Sequence, residues 1–420
     1  MNIAISITEG RTVRDLFYNG LLDYFVQAGC FVTVFTEAAT VPEFTGLWQS
    51  PQIEFRPFSP CEPSVWDTRA YWMGRRLVRL KLPGLARYWI DWREKLFSHP
   101  GEEYAQFFRE RRPAILLTTH AHLPQESELL SAAHRLGIPT LGVVRSWDNV
   151  YKGLRSRPQR LAVWNEINRR EVIELEGYLP EAVTIIGSPQ FDPYFDSGEV
   201  WSRARLAEAF GLDPHRLILV FASLGYFFPG FDETCWMDVL LQMIDEGSLP
   251  GNPQLICRLH PWSRLEHFQK YASHPNVRLS YVNRYWPALT WYMTRDDVVL
   301  VGNMLRHADV VITPGSTITL EAAIFDRPTI VPIFHPYQPQ RARKYFSTWV
   351  LGKHFGRIER LDLVPIIRQQ ADFAPAIRKA LQDPAWYQAQ RAQLVRDYIH
   401  FTDGHSTRRL ADYALAIARP

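Results

Sequence analysis

The sequence predicts an α/β protein made of two parallel-sheet domains in tandem. Three observations carry that prediction. Short apolar runs of strand length alternate with segments of helical spacing. The alternation occurs twice, and the two series are separated by a polar stretch, 187–203, that holds Gly, Ser, two Pro and several acids. Polar and small residues directly follow the apolar runs, where open α/β sheets bind their ligands.

The elements follow in order. NIAISIT (2–8) reads as a buried strand, RTVRDLFYNGLLDYFVQAG (11–29) as a helix and FVTVFTE (31–37) as a second strand. The region 50–110, rich in Pro, Trp and Arg, is the least regular. PAILLTTH, PTLGVVRS, RLAVWN and AVTIIGSP supply further strands, and PQESELLSAAHRLG a helix between the first two. The second series opens with strand LILVFAS and helix CWMDVLLQMIDEG. PQLICRLHP and HPNVRLSY are strands, and residues 297–332 read as helix, strand, helix, strand. The expected domains are 1–186, 187–390 and a helical tail, 391–420, that packs back across them.

Composition excludes several functions. At 420 residues, 46% hydrophobic and 22% charged, the chain is globular with ample core. A net charge of +3 is too small to argue for nucleic acid. The four cysteines form no CxxC pair, which argues against a zinc ribbon or disulfide scaffold and fits a reducing cytosol. MNIAISITEGR lacks the features of a signal peptide, and no run of 18 apolar residues predicts a membrane span. The expected location is cytoplasmic, with peripheral membrane contact as an option.

The second series offers a phosphate site. In ITPGSTITLEAA, Gly315 permits close backbone approach, and Ser316, Thr317 and Thr319 bring hydroxyls to a helix start. The same residues also suit plain N-capping. Glu321 lies four residues after Thr317 on the same helical face, placed for sugar hydroxyls or for the helix dipole. His260 follows the strand LICRL and is stopped by Pro261, with Arg258 two residues back on the same side. Ser223 and Gly225 end another strand. The aromatic stretch YVNRYWPALTWYM (281–293) reads either as a sugar or base pocket or as a packed loop.

The first series offers an acceptor side. His120 and His122 follow strand AILL, and Trp147, Asp148 and Asn149 follow TLGVV. Asp148 or His120 is the candidate base for an attacking hydroxyl. An Asp-Asn turn is the alternative at 148–149. Glu9, Gly10 and Arg14 stand at the first strand–helix junction, where Gly10 would admit an acceptor and Arg14 an anion. No spacing pattern supports a metal. RRLVRLKLPGLARYWIDWREKLF (75–97) reads as two amphipathic helices broken at Pro83-Gly84, or as a membrane-surface patch for a lipid-linked acceptor.

TTHAHLPQESELLSAAHRLGIPTLGVVRSWDN, IGSPQFDPYF, LICRLHP and PGSTITLEAAIFDRPTIVP together resemble the two-domain GT-B glycosyltransferases. Within that class they are most similar to bacterial surface-polysaccharide enzymes and the CDP-glycerol glycerophosphotransferase-like group. The resemblance implies two facing Rossmann-like domains and a C-terminal crossing helix. It implies a nucleotide-sugar donor on the second domain: His260, Ser316 and Thr317 on phosphate, Glu321 on ribose or sugar hydroxyls. It implies a glycan or lipid-linked acceptor beside Asp148, no cofactor and no bound metal. The expected reaction is inverting glycosyl transfer with closure about 187–203, the alternatives being CDP-polyol phosphotransfer and nucleotide-sugar 2-epimerisation. GSTITLEAA is more similar to sugar transferases than to teichoic-acid polymerases.

Overall fold

The structure is a computed structural model that describes residues 1–420 except 60–62, 81, 98–101, 122, 148–149, 151–152, 196–198, 226–231, 262, 282–288, 352–354 and 420, and the side chains of 79, 83, 87 and 349. The chain divides into two units. The first comprises Met1–Phe195, Tyr285–Tyr292 and Tyr398–Pro420, the second Asp196–Arg284 and Met293–Asp397.

The first unit is built on a parallel sheet of order β3-β2-β1-β4-β5-β6-β7. Its strands are β1 (Asn2–Ile7), β2 (Phe31–Thr36), β3 (Ile53–Arg56), β4 (Ile115–Thr118), β5 (Thr140–Val143), β6 (Arg160–Val163) and β7 (Val183–Ile185). Alternation along β1 sorts its side chains. Ile3, Ile5 and Ile7 enter a core with Val32, Val34, Phe25 and Leu410. Ala4 turns to the other face with Phe35, Tyr104 and Leu129. The helical reading of 11–29 is interrupted: a π-helical turn spans Val13–Phe17, Gly20 takes φ 81°, and the α-helix Leu21–Gln27 follows. The region 50–110 is more regular than its composition suggests. It holds β3 and the helices Val65–Arg79, Pro83–Phe97 and Glu102–Arg111.

The tail joins this unit through its last helix, Ser406–Ala418, whose Leu410, Ala411 and Ala414 are buried in the β1 core. Asp192, from the GSPQFD stretch, caps that helix by accepting the Ser406 and Thr407 N–H groups at 3.0 and 2.7 Å. The segment Leu289–Tyr292 also belongs here: Gly10 N–H donates to the Thr290 carbonyl at 2.9 Å.

The second unit repeats the plan with β8 (Ile218–Ala222), β9 (Gln254–Arg258), β10 (Val277–Ser280), β11 (Val310–Ile312), β12 (Thr329–Pro332) and β13 (Ile366–Ile367). Its order is β10-β9-β8-β11-β12-β13, all parallel. Ile218, Val220 and Ala222 pack on the helix Arg295–His307 through Val301, Met304 and Leu305. That helix opens with a Thr294–Asp297 capping box. The helix Gln388–Leu394 stays with this unit, held by Arg391 Nε against Asp326 at 2.7 Å. Both sheets are Rossmann-like: the strand order reverses direction between β1 and β4, and again between β8 and β11.

Candidate active site

In the first unit the carboxyl ends of β1, β4 and β5 deliver Glu9, His120 and Arg145 to one buried ionic cluster. Arg145 Nε lies 2.7 Å from His120 Nε2. A guanidinium can only donate, so that nitrogen presents its lone pair and the ring proton sits on Nδ1. Nδ1–H then donates to Thr119 Oγ1 at 3.1 Å, and Thr119 passes its own proton to the Ser6 carbonyl at 3.0 Å. Glu9 Oε2 stands 3.3 Å from the same Nε2. Nε2 is thus held between a guanidinium that occupies its lone pair and a carboxylate, in a buried ring, and it takes up a proton only if Arg145 turns away.

Glu9 also takes a 2.6 Å contact from Arg11 and lies 3.6 Å from Arg145. Burial alone would raise its pKa; His120 in its protonated form, with Arg11 and Arg145, outweighs burial and holds it well below the ordinary carboxylate range. Asp15 pairs with Arg14 at 2.6 Å and approaches Arg145 at 3.8 Å. Three guanidinium groups thus face two carboxylates. Burial and the neighbouring Arg145 push Arg11 down to about 9, although Glu9 opposes the shift. Surplus positive charge of this kind favours an anionic ligand.

Beneath the cluster lies Glu126, fully buried in the first turn of the helix Pro124–Arg135. Its carboxyl accepts His120 N–H at 2.6 Å, Thr119 N–H at 3.1 Å and Ser6 Oγ–H at 2.7 Å. Burial raises its pKa to about 7 against the lowering effect of those bonds.

In the second unit the residues following β8, β9 and β11, which are neighbours in the sheet, carry the candidates. Ser223 Oγ accepts the His260 N–H at 2.7 Å and bonds Ser263 Oγ at 2.8 Å. Ser263 donates onward to Glu233 Oε1 at 3.2 Å, and Glu233 Oε2 accepts the Leu224 N–H at 2.7 Å. Burial lifts Glu233 to about 7. Gly225 adopts φ 82°, and a Cβ there would fall 2.5 Å from His260 Nδ1. Glycine is required for the backbone to pass under the imidazole. After β11, Gly315 takes φ 86°. Ser316 Oγ bonds Thr313 Oγ1 at 2.8 Å and accepts the Ile318 N–H at 3.3 Å, at the start of the short helix Ile318–Ile324.

The other sequence candidates divide. Arg258 is buried on β9 and Glu321 is buried in the helix after Thr317. Thr319 is turned into a small cavity with Pro328, Val364 and Leu394, its hydroxyl buried without a hydrogen-bond partner. Trp147 is packed edge-on against Tyr398 at 5.6 Å. The close approach that Gly10 permits is made by the chain itself: a Cβ would lie 2.4 Å from the Tyr292 Cα. Arg14 has a protein anion, Asp15, beside it. His122, Asp148 and Asn149, and 282–288 of the aromatic stretch, lie outside the described residues. Elsewhere in that stretch Tyr281 is exposed, while Trp291 lies beneath Arg11 at 3.5 Å and the Tyr292 and Tyr18 hydroxyls meet at 2.6 Å. Arg145, Asp15, Glu126, Ser263 and Glu233 were not singled out from sequence. The available signal was a carboxylate at a helix start just beyond a strand end, as in HLPQES and FDET.

No protein-family model matches the chain, and no curated protein sequence matches it. Solved structures do. A UDP-GlcNAc 2-epimerase from Neisseria meningitidis bound to UDP-GlcNAc superposes with TM-score 0.57 at 10% identity, covering 99% of this chain and 100% of its own. A glycosyltransferase from Rickettsia africae matches with TM-score 0.56 at 8% identity, covering 100% and 98%. A variant of the wall teichoic acid polymerase TagF with CDPG matches with TM-score 0.55 at 11% identity, covering 100% and 88%. At these identities the likeness shows the fold: two Rossmann-like units of GT-B type with C-terminal helices.

Proposed function

We propose that this chain is an enzyme acting on a nucleoside-diphosphate-activated substrate, whose diphosphate is held by the second unit. One observation carries the reading: the chain of hydrogen bonds from the His260 backbone N–H through Ser223 and Ser263 to Glu233 at the carboxyl ends of β8 and β9, next to the Ser316 turn after β11. It fixes the backbone from which the half-buried His260 side chain springs, beside the topological switch point where such ligands bind. The structures of like fold that hold UDP-GlcNAc or CDPG support the same class of ligand.

The first unit supplies the proton chemistry in this reading. With Arg145 turned from Nε2 onto the anionic substrate, His120 takes the proton of an acceptor hydroxyl at that nitrogen, and Glu9 stabilises the resulting imidazolium. His260 offsets the charge that grows on the departing phosphate. Polyol-phosphate transfer and 2-epimerisation stand ahead of direct hexosyl transfer, since epimerases and a teichoic acid polymerase are among the solved structures of like fold. In phosphotransfer the acceptor oxygen attacks the β-phosphorus, the bridging P–O bond breaks and a nucleoside monophosphate leaves. The acceptor is a glycan or lipid-linked hydroxyl, the reaction takes place in the cytoplasm, and it needs no added metal.

Phosphorus NMR of the protein with a CDP-polyol or UDP-GlcNAc, with and without acceptor and with chelator, separates the options. CMP released only with acceptor supports phosphotransfer. An epimerised sugar without acceptor supports the epimerase, and UDP released with acceptor supports hexosyl transfer. No turnover of any activated donor contradicts the proposal.

A further inference from the structure

The helices Val65–Arg79 and Pro83–Phe97 pack against each other as a hairpin on the first unit. Its inner side is pinned by buried ions. Arg93 meets Asp67 at 2.5 Å, Arg155 meets the other Asp67 oxygen, and Arg75 meets Glu176 at 2.6 Å. Trp89 Nε1–H donates to the Ala70 carbonyl at 2.7 Å, and Val78, Ala86 and Ile90 are buried. Breaking any such buried pair leaves an uncompensated charge, so the hairpin is a fixed part of the fold.

Its outer side has the opposite character. Among the described residues, 20 large apolar side chains are exposed, and ten of these fall between Val65 and Leu96. They follow helical spacing: Trp66, Trp72 and Met73 on one helix, Leu85, Tyr88 and Trp92 on the other. Tyr88 is 70% exposed and Trp66 65%. Scattered apolar residues need no explanation, but a concentrated aromatic face does. Outside the buried pairs, the sequence 65–97 carries Arg69, Arg76, Arg79, Lys81, Arg87 and Lys95 against Asp91 and Glu94.

We propose that this face docks on the surface of an anionic lipid bilayer. Trp and Tyr place an apolar ring and a polar atom at once, as the interface between acyl chains and headgroups requires, while the bases meet anionic headgroups. Each helix has 15 residues, and no described helix is long and apolar enough to cross a membrane, so the hairpin lies on the surface. A second copy of the chain is the poorer occupant, because it would set this basic surface against its own like.

The test is co-sedimentation of the full chain with phosphatidylcholine vesicles, with and without phosphatidylglycerol, at low and high salt. Binding is expected only with the anionic lipid, weakened by salt, with a blue shift of tryptophan emission. Arg69→Gln and Arg76→Gln together should weaken binding by roughly 25-fold, at about fivefold per base. Trp72→Ser with Tyr88→Ser should abolish it and leave nucleotide binding unchanged. All four side chains are exposed, so folding is preserved, and the wild-type salt and lipid dependence tests the idea independently. Absence of binding to anionic vesicles overturns the proposal. So does binding that ignores these substitutions, or a dimer in sedimentation equilibrium that Trp72→Ser with Tyr88→Ser dissolves.

Discussion

Glu126 in the first unit and Glu233 in the second occupy matching places. Each stands at the start of a helix that follows a central strand, β4 or β8. Each folds back to accept two backbone N–H groups just beyond that strand: Thr119 and His120 in one case, Leu224 and Gly225 in the other. Each also binds a serine hydroxyl, Ser6 or Ser263. Burial pushes both up to about 7. What differs is the histidine each one steadies. His120 is enclosed by Glu9 and Arg145, while His260 is half-buried and touches the second unit through its own N–H and the Gly225 backbone. The same brace thus stands behind an enclosed ring in one unit and a half-buried ring in the other.

Substituting the two histidines should separate these roles most sharply. His120→Ala should lower turnover by about 10²–10⁴-fold with nucleotide affinity intact. His260→Ala should lower nucleotide affinity by roughly tenfold or more. Equal losses of affinity in both variants would break the distinction. Next in size is the brace itself. Glu126→Ala strands three buried donors, and a loss of about 3 kcal/mol or more in denaturant unfolding is expected. Glu233→Ala should behave alike, and a near-neutral result in either would show that the brace is not structural.

The pH dependence has a definite sign. The ordinary value for either carboxyl is 4.5, and the folded value is about 7. Between these the folded state keeps protons that the unfolded state releases, so this contribution is complete below 4.5 and is lost as pH rises toward 7. Glu126→Gln should flatten that part of the stability profile, by on the order of 3 kcal/mol. Glu9 works the other way: held low in the folded state, it adds stability that is lost only as pH falls below 4.5. Gly225→Ala is the smallest change, expected to cost about 1–3 kcal/mol and to displace His260, read as weaker nucleotide binding.

Much of this fold was legible because parallel strands buried on both faces are near-continuous apolar runs, as in LILVF and AILL. β3 was not, since Ile53–Arg56 alternates on a sheet edge and all four residues are only partly covered. The break in the first helix was hidden because the buried residues Val13, Leu16, Phe17, Leu21, Leu22 and Phe25 still recur every three or four positions across the π-turn and Gly20. Of the site, the strand-end histidines could be read from position alone. Their partners could not: Arg145 reaches His120 across 25 positions and Ser263 reaches Ser223 across 40, and only the sheet order brings them together. Gly10 shows the reverse failure. Sequence gives the need for close approach but not what approaches, which proves to be Tyr292.

The central claim is that the second unit alone fixes the activated nucleotide. Calorimetric titration of UDP, CMP, CDP and GDP, each with and without magnesium, tests it most directly. The account predicts that one of them binds without metal, that His260→Ala weakens this binding by roughly tenfold or more and that His120→Ala leaves it. Binding by none of the four, or binding lost in His120→Ala and kept in His260→Ala, would contradict it.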